Sequence, residues 1–349
     1  MTRRAVWTLL SLAAGILAAG ACLALADPRA VAGALRTVGV RGAAAFVAVA
    51  GITLAAPAAG WWMLLRAEGA RVRYLECLKA CVMGFVLNFA TPSMYLGGEP
   101  VRILYLSARA GLGRRLVTAT LVVNKFHELA GLVAGIAACG AGMLVRFRFP
   151  SPGARAGFAA LLALLAALTV LIFLALAGRF GPAVRTLGWL ARRGIFPARL
   201  ERWKASAEET ERLVREMLTR KWRTTLAAQA VTTLSTAAIF LRPAILFAFL
   251  PDAPVRPGVA DLAMLFATSQ LIMALPSLPG GLGIFEGGML VFFAAIDPAR
   301  AGGLRTIGMT YGVLTRLGDA LWIGIGLWLM IRTGVRRFGS STFQVPRSK

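Results

Sequence analysis

Acidic residues are scarce in this chain: 15 Asp and Glu stand against 39 Lys and Arg in 349 residues, and there is one histidine. That scarcity removes whole classes of chemistry. A single imidazole, His127 beside Glu128, cannot assemble a histidine-based metal centre, and no acidic metal motif, glycine-rich nucleotide loop or Ser-His-Asp ordering stands out. The four cysteines, Cys22, Cys77, Cys81 and Cys139, all lie in apolar segments. Cys77 and Cys81 are four apart on one helix face with no second pair nearby, so buried thiols are expected rather than a disulfide framework or metal site. No catalytic residue, cofactor or metal is therefore assigned. Charge as a whole is also low, at 15% of residues against 58% hydrophobic, with mean hydropathy +0.71. Several segments must be solvated by lipid, which predicts an all-α polytopic membrane protein.

The net charge of +24 would suggest nucleic acid in a soluble protein. Here Lys and Arg flank apolar runs in the manner of cytoplasmic loops, so no nucleic-acid partner is expected. About six spanning helices are predicted. The first, 5–25, follows Arg3 and Arg4, and its apolar run exceeds the roughly 7–15 residues of a secretory leader. An outer loop completes the segment 1–41. The second, 42–65, ends at Trp61 and Trp62, with Arg66, Arg71 and Arg73 beyond. Further spans are 116–144, 156–177, 224–250, where Arg242 before Pro243 can snorkel outward, and 306–331.

Between the fourth and fifth spans lies a basic segment, 179–223, with twelve Lys or Arg. Within it Trp203, Ala207, Thr210, Leu213, Val214, Met217 and Leu218 recur at helical spacing, an amphipathic helix that lies on headgroups or packs on the membrane domain. The segment is too small and plain to be a soluble enzyme domain. A basic tail, 332–349, follows the last span. Most Lys and Arg then fall on one side, predicting a multi-pass protein of the cell (inner) membrane with both termini cytoplasmic.

Two stretches break this pattern. LPSLPGGLGIFE, 275–286, sets Pro276, Pro279, Gly280, Gly281 and Gly283 between apolar flanks, and they cannot share an ordinary helix. Broken backbone at membrane depth must be buried in protein or line a wet cavity, since lipid cannot satisfy its N–H and C=O groups. Two half-helices meeting at an elbow are expected, with Glu286 near the start of the second, where a carboxylate also serves as a cap. The stretch 88–100 has the same character, with Pro92, Gly97, Gly98 and Pro100, and Glu99 and Arg102 in or just beyond the break.

Each elbow is followed by a span carrying a cation and an anion three residues apart: Lys125 and Glu128 in NKFHELAGLVAGI, Arg316 and Asp319 in TRLGDALWIGIGL. Pro92 precedes Lys125 by 33 residues and Pro279 precedes Arg316 by 37. The two units, 42–144 and 224–331, start from opposite sides of the membrane. This predicts two re-entrant broken-helix hairpins in an inverted-topology repeat within one membrane domain, as in transporters whose substrate site lies where broken helices meet. Residues three apart on a helix can also neutralise one another as structural pairs. Intramembrane charge is costly, and two such pairs beside two elbows are better explained by a shared polar cavity.

TPSMYLGGEPVR followed by NKFHE, then LPSLPGGLGIFEGG followed by LTRLGD, resembles the transmembrane region of lysylphosphatidylglycerol synthases and the stand-alone flippase-like membrane proteins related to it. The resemblance covers roughly 61–331. It implies lipid handling: in fused members this region is associated with moving an aminoacylated phospholipid between leaflets, while a separate soluble domain makes it. The chain ends soon after its last predicted span, so that aminoacyl-transferase domain is expected to be absent.

Three kinds of function are therefore weighed. A lipid translocator needs cations and helix N-termini for a phosphate headgroup, and glycines for close backbone approach. The substrate-binding candidates are Asn88, Thr91, Gly97, Gly98, Glu99, Arg102, Lys125 and Glu128 from the first unit, and Pro279, Gly280, Gly281, Gly283, Glu286, Arg316 and Asp319 from the second. The expected partners are membrane lipids, anionic or phosphate-bearing. A non-catalytic membrane partner of a lipid-modifying or glycosyltransferase enzyme ranks second. An intramembrane lipid-modifying enzyme ranks last, for want of a nucleophile or metal cluster.

Overall fold

A computed structural model describes residues 3–91, 97–146, 149, 151–178, 181, 184–186, 188–189, 193, 197–253, 256–274, 279–296 and 301–334. Among these residues the chain is helical, with no strand. Its helices are α1 (Arg3–Leu25), α2 (Pro28–Ala67), α3 (Tyr74–Ala90), α4 (Glu99–Ala110), α5 (Arg114–Arg146), α6 (Pro152–Ala177), α7 (Pro197–Thr219), α8 (Trp222–Ala248), α9 (Val259–Ala274), α10 (Ile284–Ile296) and α11 (Ala301–Thr333). A single 3-10 turn, Pro279–Gly281, stands between α9 and α10. Five of the helices, α2, α5, α6, α8 and α11, are long and apolar enough to cross a membrane. This is an all-α polytopic membrane protein. The predicted first span lies in α1, whose described side chains begin at Ala13.

Local chemistry sets the helix ends. Asp27 caps α2, its Oδ1 accepting from the N–H groups of Arg29 at 3.0 Å and Ala30 at 3.4 Å, with Pro28 at the first helical position. Ser151 caps α6 the same way, accepting from Ala154 N at 3.1 Å ahead of Pro152. The segment before 42, expected to be an outer loop, is itself helical: α2 is two helical pieces, one starting at the Asp27–Pro28 cap, joined at Gly39, whose backbone (φ 60°, ψ −170°) is not helical.

Kinked α2 is the hub, packed against α8, α11, α3 and α5. Around it the two units have equivalent neighbours. α3 packs on α4 and on α11, and α4 on α5; α9 packs on α10 and on α5, and α10 on α11. One apolar core joins α2, α3, α4 and α5 through Trp61, Leu65, Cys77, Met83, Tyr105 and Leu121. Another joins α2, α8, α10 and α11 through Phe46, Leu246, Phe285, Phe293 and Tyr311. Both bury side chains that would each cost about 1.5–3 kcal/mol to expose to water. Within the membrane the gain is close packing of side chain against side chain.

Two peripheral helices have contrasting faces. α6 buries only Leu162, and Leu164, Leu168, Leu171 and Phe173 are exposed, as suits a helix that meets lipid nearly all round. Amphipathic α7 instead packs on the membrane domain: Val214, Met217 and Leu218 are buried against Leu64, Ala119, Val123 and Ala228. Trp203, at its start, remains 61% exposed.

Candidate functional site

Helix breaks stand at both predicted elbows. α3 stops at Ala90 and α4 starts at Glu99; α9 stops at Ala274 and α10 starts at Ile284. Pro92 and Pro276, with the rest of 92–96 and 275–278, lie outside the described residues, as does the tail from 335.

In the first elbow, Asn88 and Thr91 organise the end of α3. Asn88 Oδ1 accepts from Gly98 N at 2.6 Å, and Thr91 Oγ1 donates to Asn88 O at 2.9 Å. These bonds satisfy backbone groups that a broken helix leaves without partners. Gly98 is required by proximity, because a Cβ there would stand 2.1 Å from the carbonyl oxygen of Gly84. Glu99 turns back on the loop, its Oε2 accepting from Gly97 N at 2.7 Å.

The charges of this elbow meet those of α5. Lys125 Nζ lies 3.4 Å from Glu99 Oε1 and 2.7 Å from Glu128 Oε2, and Arg102 Nη1 lies 3.5 Å from Glu128 Oε1. Asn124 adds a bond from Nδ2 to Glu128 Oε1 at 3.2 Å. Two cations and two carboxylates thus form one neutral cluster, which limits the cost of placing charge in a low-dielectric region. The Arg102 side chain is 5% exposed, whereas those of Lys125, Glu99 and Glu128 retain 18–23%. A ligand can therefore reach the last three.

The second elbow repeats the arrangement with different residues. Glu286 Oε2 accepts from Gly283 N at 2.7 Å, as Glu99 does from Gly97, and its Oε1 receives Arg316 Nε at 2.6 Å. Arg316 continues into the 3-10 turn, donating Nη1 to Gly280 O at 2.6 Å and Nη2 to Gly281 O at 3.1 Å. Those carbonyls are turned toward it by left-handed backbone at Gly280 (φ 68°) and Gly281 (φ 63°), where glycine carries no steric penalty. Pro279 opens this turn.

Asp319 does not form the pair that its three-residue spacing from Arg316 allows, because Arg316 is taken by Glu286 and the turn carbonyls. Asp319 is buried and makes no hydrogen bond or ion pair among the described residues. It feels the charges of Arg242 from α8, of Arg316 and of Glu286. Arg242, whose Nε is buried and without a hydrogen bond among the described residues, is near enough for its charge to act on Asp319. Position alone, an arginine inside an apolar run, was the available signal for Arg242, and snorkelling accounts for that signal equally well.

The elbows also touch each other. The ring of Phe89, at the end of α3, lies where a Cβ on Gly280 would be, 2.4 Å away. The Arg316 guanidinium sits 5.8 Å from that ring and 5.3 Å from the ring of Phe285, a cation between aromatic groups of the two elbows. Neither phenylalanine is distinguished in the sequence from its many apolar neighbours.

A family profile described as the lysylphosphatidylglycerol synthase TM region matches residues 9–317. The chain belongs to that family. No curated protein matches it.

Proposed function

We propose that the protein moves a phospholipid, or a lipid-linked headgroup, between membrane leaflets, with the two elbows as walls of the headgroup path. The observation that carries this reading is the matched pair of units Glu99–Lys125 and Glu286–Arg316. Each is a carboxylate that accepts from a loop glycine N–H and faces a cation on the following long helix. Cations already paired within the protein hold their place in lipid without a ligand, and an incoming phosphate exchanges with a carboxylate rather than meeting bare charge. Glu99, Glu128, Lys125 and Arg316 are the exchanging groups, and the glycine backbone allows close approach.

In this reading α3–α4 and α9–α10 are re-entrant hairpins of an inverted repeat, entered from opposite sides. The equivalent packing of the two units around α2 and α8 supports it. Both termini and α7 then lie in the cytoplasm, as the distribution of Lys and Arg suggests.

The test is headgroup exchange of labelled phospholipids and polyprenyl phosphates in liposomes holding the purified protein, compared with Arg316→Ala and Lys125→Ala. One lipid class should move with wild type and slow sharply with both variants while each still inserts. Unchanged movement in both variants would remove the elbows from the path.

A further inference from the structure

A second site lies away from the elbows. Where the start of α5, the end of α6 and the middle of α7 converge, they line a half-open cavity of about 450 Å³. That volume falls within the roughly 300–1,000 Å³ of ligand-binding cavities. Val122, Leu176 and Val214 line its apolar part, and Arg114, Arg115 and Arg215 belong to the same lining. Glu211 is the acidic residue among its lining, so positive charge prevails.

The three arginines are engaged to different degrees. Arg115 is held by Glu209 at 2.6 Å, and Arg215 donates Nε to Gly178 O at 3.0 Å, leaving its two Nη groups without a hydrogen bond among the described residues. Arg114 is exposed and makes neither an ion pair nor a side-chain hydrogen bond there. Depth is set by α6, whose lipid-facing apolar run ends at Ala177; the cavity is lined by Ala175, Leu176 and Gly178 at that end. It therefore sits at headgroup level, with exposed Trp203 beside it, the residue favoured at a membrane interface.

We propose that this cavity binds one anionic phospholipid of the adjacent leaflet, its phosphate on Arg114 and Arg215 and an acyl chain among the apolar residues, fastening α7 to the membrane domain. Apolar walls and membrane depth favour a lipid over a free anion, and the excess of arginine favours an anionic headgroup over a zwitterionic one. The site stands independently of the elbow path.

The full chain in neutral detergent is titrated calorimetrically with dioctanoyl-phosphatidylglycerol, dioctanoyl-phosphatidylcholine and inorganic phosphate. Phosphatidylglycerol should saturate wild type with an affinity about tenfold or more above phosphatidylcholine, as two arginines near a phosphate allow. Phosphate alone should not bind. The Arg114→Gln/Arg215→Gln double variant should lose the preference, and Ala207→Trp should fill the cavity and lose both lipids. Equal binding of the two lipids by wild type, binding of phosphate as tight as that of phosphatidylglycerol, or full binding by the double variant would each overturn the proposal. So would full binding by a folded Ala207→Trp protein.

Discussion

Arg316 bonds Glu286 at 2.6 Å, thirty residues away in sequence, and not Asp319 one helical turn along its own helix. The choice follows from how many acceptors each side offers. Toward α10 the guanidinium finds a carboxylate and the two carbonyls of Gly280 and Gly281, so Nε, Nη1 and Nη2 are all used. A planar fork of donors favours that multiple site over a single carboxylate.

Removing Arg316 should therefore destabilise more than removing Glu286 and Arg316 together. The Glu286 side chain is 3% exposed, and an uncompensated buried charge costs about 3–5 kcal/mol. Thermal unfolding of Arg316→Ala, Glu286→Gln and the double variant in detergent checks this. Additive losses would mean the pair is not coupled.

Asp319→Asn should leave the melting temperature unchanged or raise it. The carboxylate has no hydrogen-bond or ion-pair partner among the described residues, so its charge is solvated by little besides the fields of Arg242 and Arg316. A clear drop, comparable to that of Glu286→Gln, would show that Asp319 is held by a partner.

Gly280→Ala should separate the elbows without preventing insertion. The added Cβ meets the Phe89 ring at 2.4 Å, an overpacking cost of about 1–3 kcal/mol, and the left-handed backbone adds strain to it. Trimming the ring with Phe89→Ala should recover part of the lost stability, and lipid exchange in the single variant should fall. If the ring variant fails to rescue Gly280→Ala, backbone strain and not the elbow contact sets the loss.

Met217→Ala should loosen α7. Met217 is 1% exposed in the seam with Leu64 and Ala119, and a large-to-small change at such a site costs about 2–5 kcal/mol. Limited proteolysis within 197–219 should become faster while the spanning helices stay protected. Unaltered cleavage would mean that α7 is held by its charges.

The sequence by itself determined what local chemistry decides. Apolar runs long enough to cross a bilayer, helix breaks where proline and glycine cluster, and the pairing of Lys125 with Glu128 within one helical turn are properties of neighbouring residues. Packing decided the rest, because a side chain's partner depends on which helix it faces. It assigned Arg316 to Glu286, left Asp319 buried beside Arg242, and placed Phe89 against Gly280 so that the elbows meet. It also made a helix of 28–38 ahead of the break at Gly39, with Val38 buried in the core shared with α8. None of these contacts is encoded at a fixed spacing along the chain; each exists only once distant helices have been brought side by side.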